Sequence, residues 1–135
     1  MTIAEAWTAG REHLMALGID EAGMTAEVLL RHVLMLDRSA LYLTWNKPID
    51  ESAWTGFQRL LEERARGRPV AYITGHREFL GLEFAVDERV LIPRPETEVL
   101  VEAVLDVVRD VASPVIADVG TGSGAIAVSL AALRP

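Results

Sequence analysis

The chain has 135 residues, half of them hydrophobic, so it carries enough apolar side chains for one ordinary domain or for a small domain and part of another. Its net charge of −7 argues against a nucleic-acid or anionic-membrane surface spread over the whole chain. With no cysteine it has no disulfide framework, thiolate metal site or cysteine nucleophile.

The first residues, Met1-Thr-Ile-Ala-Glu-Ala, lack the basic start and long apolar core of a signal peptide. No stretch of helix formers is long enough for a membrane span. A soluble, cytoplasmic protein is therefore the expectation.

Thr2 and Glu5 have the spacing of a capping box, and Ile3, Trp7, Leu14 and Leu17 follow at three- and four-residue steps up to a stop at Gly18. A second amphipathic helix is predicted over about 22–36. Its apolar stripe is Leu29, Leu30, Val33 and Leu34, with Glu27 and Arg31 four apart on the solvent side. A short third segment covers 39–43. Asp50 then caps a fourth helix in which Trp54, Phe57, Leu61 and Ala65 recur, ended by Gly67 and Pro69. The only basic concentration, Arg59, Arg64, Arg66 and Arg68, is interleaved with Glu62 and Glu63. It reads as a solvated helix end ahead of a contact with RNA or an acidic partner. The histidines, His13, His32 and His76, stand at no metal-ligand spacing and read as structural or surface groups.

The period changes near Gly75. Phe79, Gly81, Glu83 and Ala85 alternate with Leu80, Leu82, Phe84 and Val86, which predicts a hairpin bent at Gly81. Beyond it, Pro95 suits the first turn of a helix with Val99, Leu100, Ala103, Val104 and Val107 on one side. Glu96 and Glu98 fit either that positive helix start or a ligand site.

Val115-Ile-Ala-Asp-Val-Gly-Thr-Gly-Ser-Gly-Ala-Ile-Ala-Val-Ser129 reads as buried strand, glycine turn and helix. A P-loop would place Lys where Ala125 stands, so that chemistry is excluded. A dinucleotide fingerprint fits Gly120, Gly122 and Ala125, but Asp118 would lie beside its pyrophosphate. A carboxylate there better suits the ammonium of S-adenosylmethionine. Both readings, and a purely structural turn, stay open on these residues alone.

Four strings stand in one order: Arg68-Pro-Val-Ala-Tyr-Ile-Thr-Gly75, Arg77-Glu-Phe-Leu-Gly-Leu82, Val90-Leu-Ile-Pro-Arg-Pro-Glu-Thr-Glu98 and Asp118-Val-Gly-Thr-Gly-Ser-Gly124. Together they resemble the HemK/PrmC-type protein-glutamine methyltransferases that modify peptide chain release factors. The resemblance implies an α plus α/β organisation. Residues 1–75 would be a helical substrate-recognition domain, 76–92 a β-hairpin linker, and 93–135 the start of a class I, Rossmann-like methyltransferase domain.

It also implies S-adenosylmethionine as cofactor and methylation of the glutamine amide in a release factor's Gly-Gly-Gln motif. Gly120, Thr121, Gly122, Ser123 and Gly124 would then form the donor loop with Asp118, and Arg94, Glu96 and Thr97 would be its neighbours. No metal, membrane or direct nucleic-acid partner is implied.

The family's downstream Asn-Pro-Pro-Tyr motif and ribose-binding acid are missing, so no catalytic residue is assigned and the chain reads as truncated. With no parallel neighbour for the strand, Ile116, Ile126, Val128 and Leu130 are expected to be largely exposed. A dinucleotide-dependent oxidoreductase fragment and a stand-alone helical binding module are the competing readings.

Overall fold

The computed structural model describes residues 1–134. The chain divides into two compact units, Met1–Thr74 and the part from Gly75 onward.

The first unit is helical: α1 (Ile3–Ala16), α2 (Ala22–Leu34), α3 (Arg38–Leu43), α4 (Glu51–Ala65) and α5 (Val70–Thr74). Local chemistry starts most of these helices. At α1 the Glu5 amide donates to Thr2 Oγ1 at 3.2 Å, while the Thr2 amide donates to Glu5 Oε2 at 2.7 Å, so two orphan donors are satisfied reciprocally. The amides of Ile3 and Ala4 donate to the carbonyls of Lys47 and Trp45, both at 2.9 Å, which ties the start of α1 to the chain entering α4. Asp37 and Asp50 cap α3 and α4, accepting from the amides of Ala40 and Ala53 at 2.8 Å each. The α2 helix has no side-chain cap and is flanked by Glu21 and Met35, both left-handed at φ 54°. Its buried face, with Ala22, Ala26, Leu29 and Leu30, is what holds it.

The core of this unit centres on Phe57, Leu14, Leu29, Leu30 and Leu41, all inaccessible to solvent. Leu17, placed on the apolar stripe by its spacing, is instead 52% exposed, because α1 ends at Ala16 and Leu17 is its C-cap. Glu27 is the larger correction. It is buried, because α3 lays Tyr42 and Arg38 over it, so the spacing from Arg31 did not mark a solvent face. The short α5 helix went unread in the sequence. It opens on Pro69, whose carbonyl accepts from the amides of Tyr72 and Ile73 at 3.0 and 3.1 Å.

Acid titration separates the capping carboxylates. Hydrogen bonds from the Thr2 backbone and hydroxyl lower the pKa of Glu5, and those from the Ser52 hydroxyl and the Ala53 amide lower that of Asp50. Asp87, bonded by the Arg89 side chain and amide, is pulled down to about 2. Groups depressed by folding stabilise above their unfolded pKa and lose that contribution as the pH falls through the folded one. The thermal midpoint should therefore hold from neutral pH to about 5 and fall below about 4. Asp50→Asn should flatten part of that fall, and an unchanged acid limb would remove Asp50 as a contributor.

The second unit contains β1 (His76–Phe79), β2 (Leu82–Ala85), α6 (Glu96–Val107) and α7 (Ala125–Leu133). The two strands form an antiparallel hairpin with Phe79 opposite Leu82 and Arg77 opposite Phe84. Leu80 and Gly81 turn it with φ of 49° and 75°, the two positive angles that suit the strands' twist. This turn overrides the numerical alternation. Phe79 and Phe84 share a face, with rings edge-to-face at 6.2 Å, although their parity placed them opposite.

The buried core here joins Phe79, Phe84, Val101, Ala125 and Leu130, with Val104, Leu105 and Ile126 packed against it. Three expectations are corrected. First, α6 buries the face bearing Val101, while Val99, Leu100 and Val107 are 66%, 51% and 80% exposed. The helix is apolar on more than one side, so periodicity alone could not choose the face. Second, no strand forms over 115–119, where Val115 and Val119 are almost fully exposed, because a strand needs a hydrogen-bonded neighbour and the described residues supply none. Third, Leu130 is buried and Ile126 half-buried, since α7 packs on α6 and shares the core of the hairpin phenylalanines. Ile116 and Val128 are exposed.

Candidate functional site

The residues from 118 to 124 form an open loop that leads into α7. Gly120, Gly122 and Gly124 have φ of 75°, 57° and 82°, a region that costs residues with a Cβ about 1–2 kcal/mol each. A Cβ added at Gly120 or Gly122 would meet nothing within 4 Å, so the glycines are needed for the turn and leave the backbone bare to an incoming group. The Gly124 amide donates to the Thr121 carbonyl at 2.9 Å, closing the turn. Gly124 is also the N-cap of α7 and offers no side chain, so the first-turn amides of α7 have no side-chain acceptor.

Asp118 stands at the entrance. Thr121 Oγ1 donates to its Oδ2 at 2.9 Å, a bond that fixes one carboxylate oxygen and leaves the other without a hydrogen bond among the described residues. Sequence reading named both residues but missed this link. Beside Asp118 lies a cavity of about 230 Å³ with apolar walls from Leu105, Ile116 and Leu130, and with Arg134 on its rim. The Arg134 guanidinium donates to the Val111 carbonyl. Ser123 is half-buried within the loop.

The other nominated residues lie at the start of α6. Arg94 and Glu96 are exposed, and Thr97 is half-buried with its amide on the Arg94 carbonyl at 3.0 Å. No hydrogen bond or ion pair among the described residues joins them to the glycine loop. Glu98 has a structural task that its charge did not reveal: its Oε1 accepts the Leu80 amide at 3.0 Å, fastening the hairpin tip to α6.

The donor set is a single carboxylate with bare amides at a helix start. It has the chemistry to hold an ammonium and a neighbouring carboxylate. Among the described residues no group of three or more His, Asp or Glu side chains could hold a metal ion. No helix among them is long and apolar enough to cross a membrane.

The PrmC N-terminal domain family matches residues 5–75, which is more than half of the chain. The chain belongs to this family. Membership extends to close likeness with proteins named release factor glutamine methyltransferase. The Burkholderia pseudomallei protein is 50% identical over 112 residues, covering 83% of this chain and 39% of that protein. The Chlorobaculum tepidum protein is 48% identical over 122 residues, covering 87% and 42%. The Moorella thermoacetica protein is 43% identical over 135 residues, covering 100% and 48%, so this likeness includes the glycine loop as well as the PrmC-type helical unit. The chain spans about two fifths to half of the length of these curated relatives.

Proposed function

We infer that this chain is the N-terminal part of an S-adenosylmethionine-dependent enzyme that methylates the side-chain amide of the glutamine in the Gly-Gly-Gln motif of peptide chain release factors. The relatives' name, release factor glutamine methyltransferase, supports methyl transfer to a release-factor glutamine. The observation that carries the donor is the Asp118 carboxylate, oriented by Thr121 at the mouth of a loop with three positive-φ glycines. Residues 1–75 then serve as the substrate-recognition domain, 76–92 as the hairpin linker, and 93–135 as the opening of a class I, Rossmann-like methyltransferase domain. It works as a cytoplasmic enzyme of translation termination.

An amide nitrogen is a poor nucleophile because its lone pair is delocalised into the carbonyl. When bound, S-adenosylmethionine would supply a methyl group activated by its sulfonium: the N–C bond would form as the C–S bond breaks, leaving the neutral thioether S-adenosylhomocysteine, and the amide nitrogen would release one proton to solvent. Rate then depends on alignment, which can contribute roughly 7–11 kcal/mol at best. The part of this chain is to hold the donor. Asp118 would receive its ammonium, directly or through water, and the loop amides ahead of Gly124, whose own amide closes the turn onto Thr121, would receive its carboxylate.

In the full-length enzyme, Asp118→Asn should weaken binding of S-adenosylhomocysteine by about 10–100-fold, the worth of one charge-assisted hydrogen bond. Thr121→Val, which only loosens the carboxylate, should cost less. Calorimetry reads both, and wild-type affinity in Asp118→Asn would remove the assignment.

A further inference from the structure

One side of α4 carries two arginines, Arg59 and Arg66, that make no hydrogen bond or ion pair among the described residues. Arg59, Glu62, Glu63 and Arg66 recur at i, i+3, i+4 and i+7 and so lie on one helix face. With Arg68 they line a shallow depression of about 590 Å³. One of the acids in it is paired: Glu63 accepts from Arg68 at 2.6 Å, while Glu62 is exposed and stands 3.6 Å from His13. Arg59 and Arg66 are exposed and hold no hydrogen bond or ion pair among the described residues. An arginine near the end of a helix complements its dipole, which accounts for Arg66 but not for Arg59, two turns earlier. Glu62 also borders a second depression of about 250 Å³, lined by Ala9, Trp54 and Leu61 together with the polar His13 and Gln58. A partly apolar notch and an arginine-bearing shelf therefore adjoin along one helix.

We propose that this side of α4, from Trp54 to Arg68, is a docking surface for an acidic protein segment. The segment seats an apolar side chain in the notch beside Trp54 and sets carboxylates against Arg59 and Arg66. The inference rests on the reading that the helical unit recognises a protein substrate, and it names the surface and the chemistry of the partner. Tryptophan and arginine are the side chains that anchor protein interfaces most often. A nucleic-acid backbone fits less well: it carries a charge at every nucleotide and would set phosphates against Glu62 and Glu63, whereas a peptide can place carboxylates at Arg59 and Arg66 and uncharged residues over the two acids between them.

The test uses the full-length enzyme and a purified release factor at low salt. The Arg59→Glu/Arg66→Glu variant should raise KM for the release factor about tenfold with kcat unchanged, as loss of binding made equally in ground and transition states requires. A short peptide carrying Gly-Gly-Gln and no acidic segment should show wild-type kinetics. The difference should fade at about 0.5 M salt, where exposed charges are screened. Arg59→Lys/Arg66→Lys should keep most of the affinity, and Trp54→Ala should also raise KM.

An unchanged KM in the charge-reversed variant, or an equal loss on the short peptide, overturns the surface and leaves the proposed reaction standing. If the wild-type enzyme methylates neither substrate, the proposed reaction fails. Calorimetry of this chain with the release factor then decides the surface: binding lost on charge reversal supports it, and binding absent or unaltered overturns it. A short single-stranded RNA that binds through these arginines while release-factor binding is unaffected also overturns it.

Discussion

Gly10→Val should remove most of the stability of the helical unit. A Cβ at this position would lie 2.6 Å from Phe57 Cζ, 2.8 Å from Phe57 Cε1 and 3.3 Å from Leu61 Cδ1. Phe57 is fully buried and has no free space to rotate into, so α1 and α4 must separate or the ring must leave its place. Overpacking by a single methyl group typically costs about 1–3 kcal/mol. Alanine would recover up to about 1 kcal/mol of that through its higher helix propensity. A net loss of about 1–2 kcal/mol is expected for Gly10→Ala and about 3 kcal/mol or more for Gly10→Val.

Gly23 is the internal control. Its added Cβ would meet Trp7 Cζ2 at 3.5 Å and Arg11 Cδ at 3.7 Å, which are ordinary contacts, so Gly23→Ala should stabilise by about 0.5–1 kcal/mol. Urea unfolding followed by tryptophan fluorescence reads this unit selectively, because Trp7, Trp45 and Trp54 all belong to it. A Gly10→Val protein with the wild-type midpoint would mean that α1 and α4 do not approach so closely.

Glu27→Ala should be the next most damaging change. The carboxylate side chain is only 11% exposed. It accepts from the Tyr42 hydroxyl at 3.0 Å, meets Arg38 Nε at 3.1 Å and lies 3.8 Å from Arg31 Nη1. Removing one member of a fully buried ion pair costs about 3–5 kcal/mol, but here the Arg38 side chain is 70% exposed and can be rehydrated. About 2 kcal/mol is therefore expected for alanine and about 1 kcal/mol for Glu27→Gln, which keeps an acceptor for Tyr42. A double-mutant cycle of Glu27→Gln with Tyr42→Phe should give a coupling of about 1 kcal/mol. Additive effects would show that the hydroxyl and the carboxylate do not bond in solution.

These two positions mark the boundary between what sequence determines here and what it does not. The Thr2–Glu5 capping box, the Asp50 cap and the left-handed glycines at 120, 122 and 124 were all legible, because each is set by backbone angles and bonds within a few residues. The order of motifs from Arg68 to Gly124 was likewise enough to point to the family.

Burial was legible only in part: the stripes with Leu29, Leu30, Phe57 and Leu61 are buried as their spacing predicts, but elsewhere burial belongs to two surfaces at once. Glu27 and Arg31 show the same i, i+4 spacing whether solvent or Tyr42 lies above them, and only the return of α3 decides it. The apolar residues of α6 could serve either side, and packing with α7 and the hairpin phenylalanines selected Val101 over Leu100. The two-residue turn at Leu80 and Gly81 put Phe79 and Phe84 on one face against their numerical parity. At Val115 and Val119, β-branched residues favour extended backbone, but only a neighbouring chain can complete a strand's hydrogen bonds. No local pattern encodes that partner, and the described residues supply none, so the glycine loop here follows an open segment.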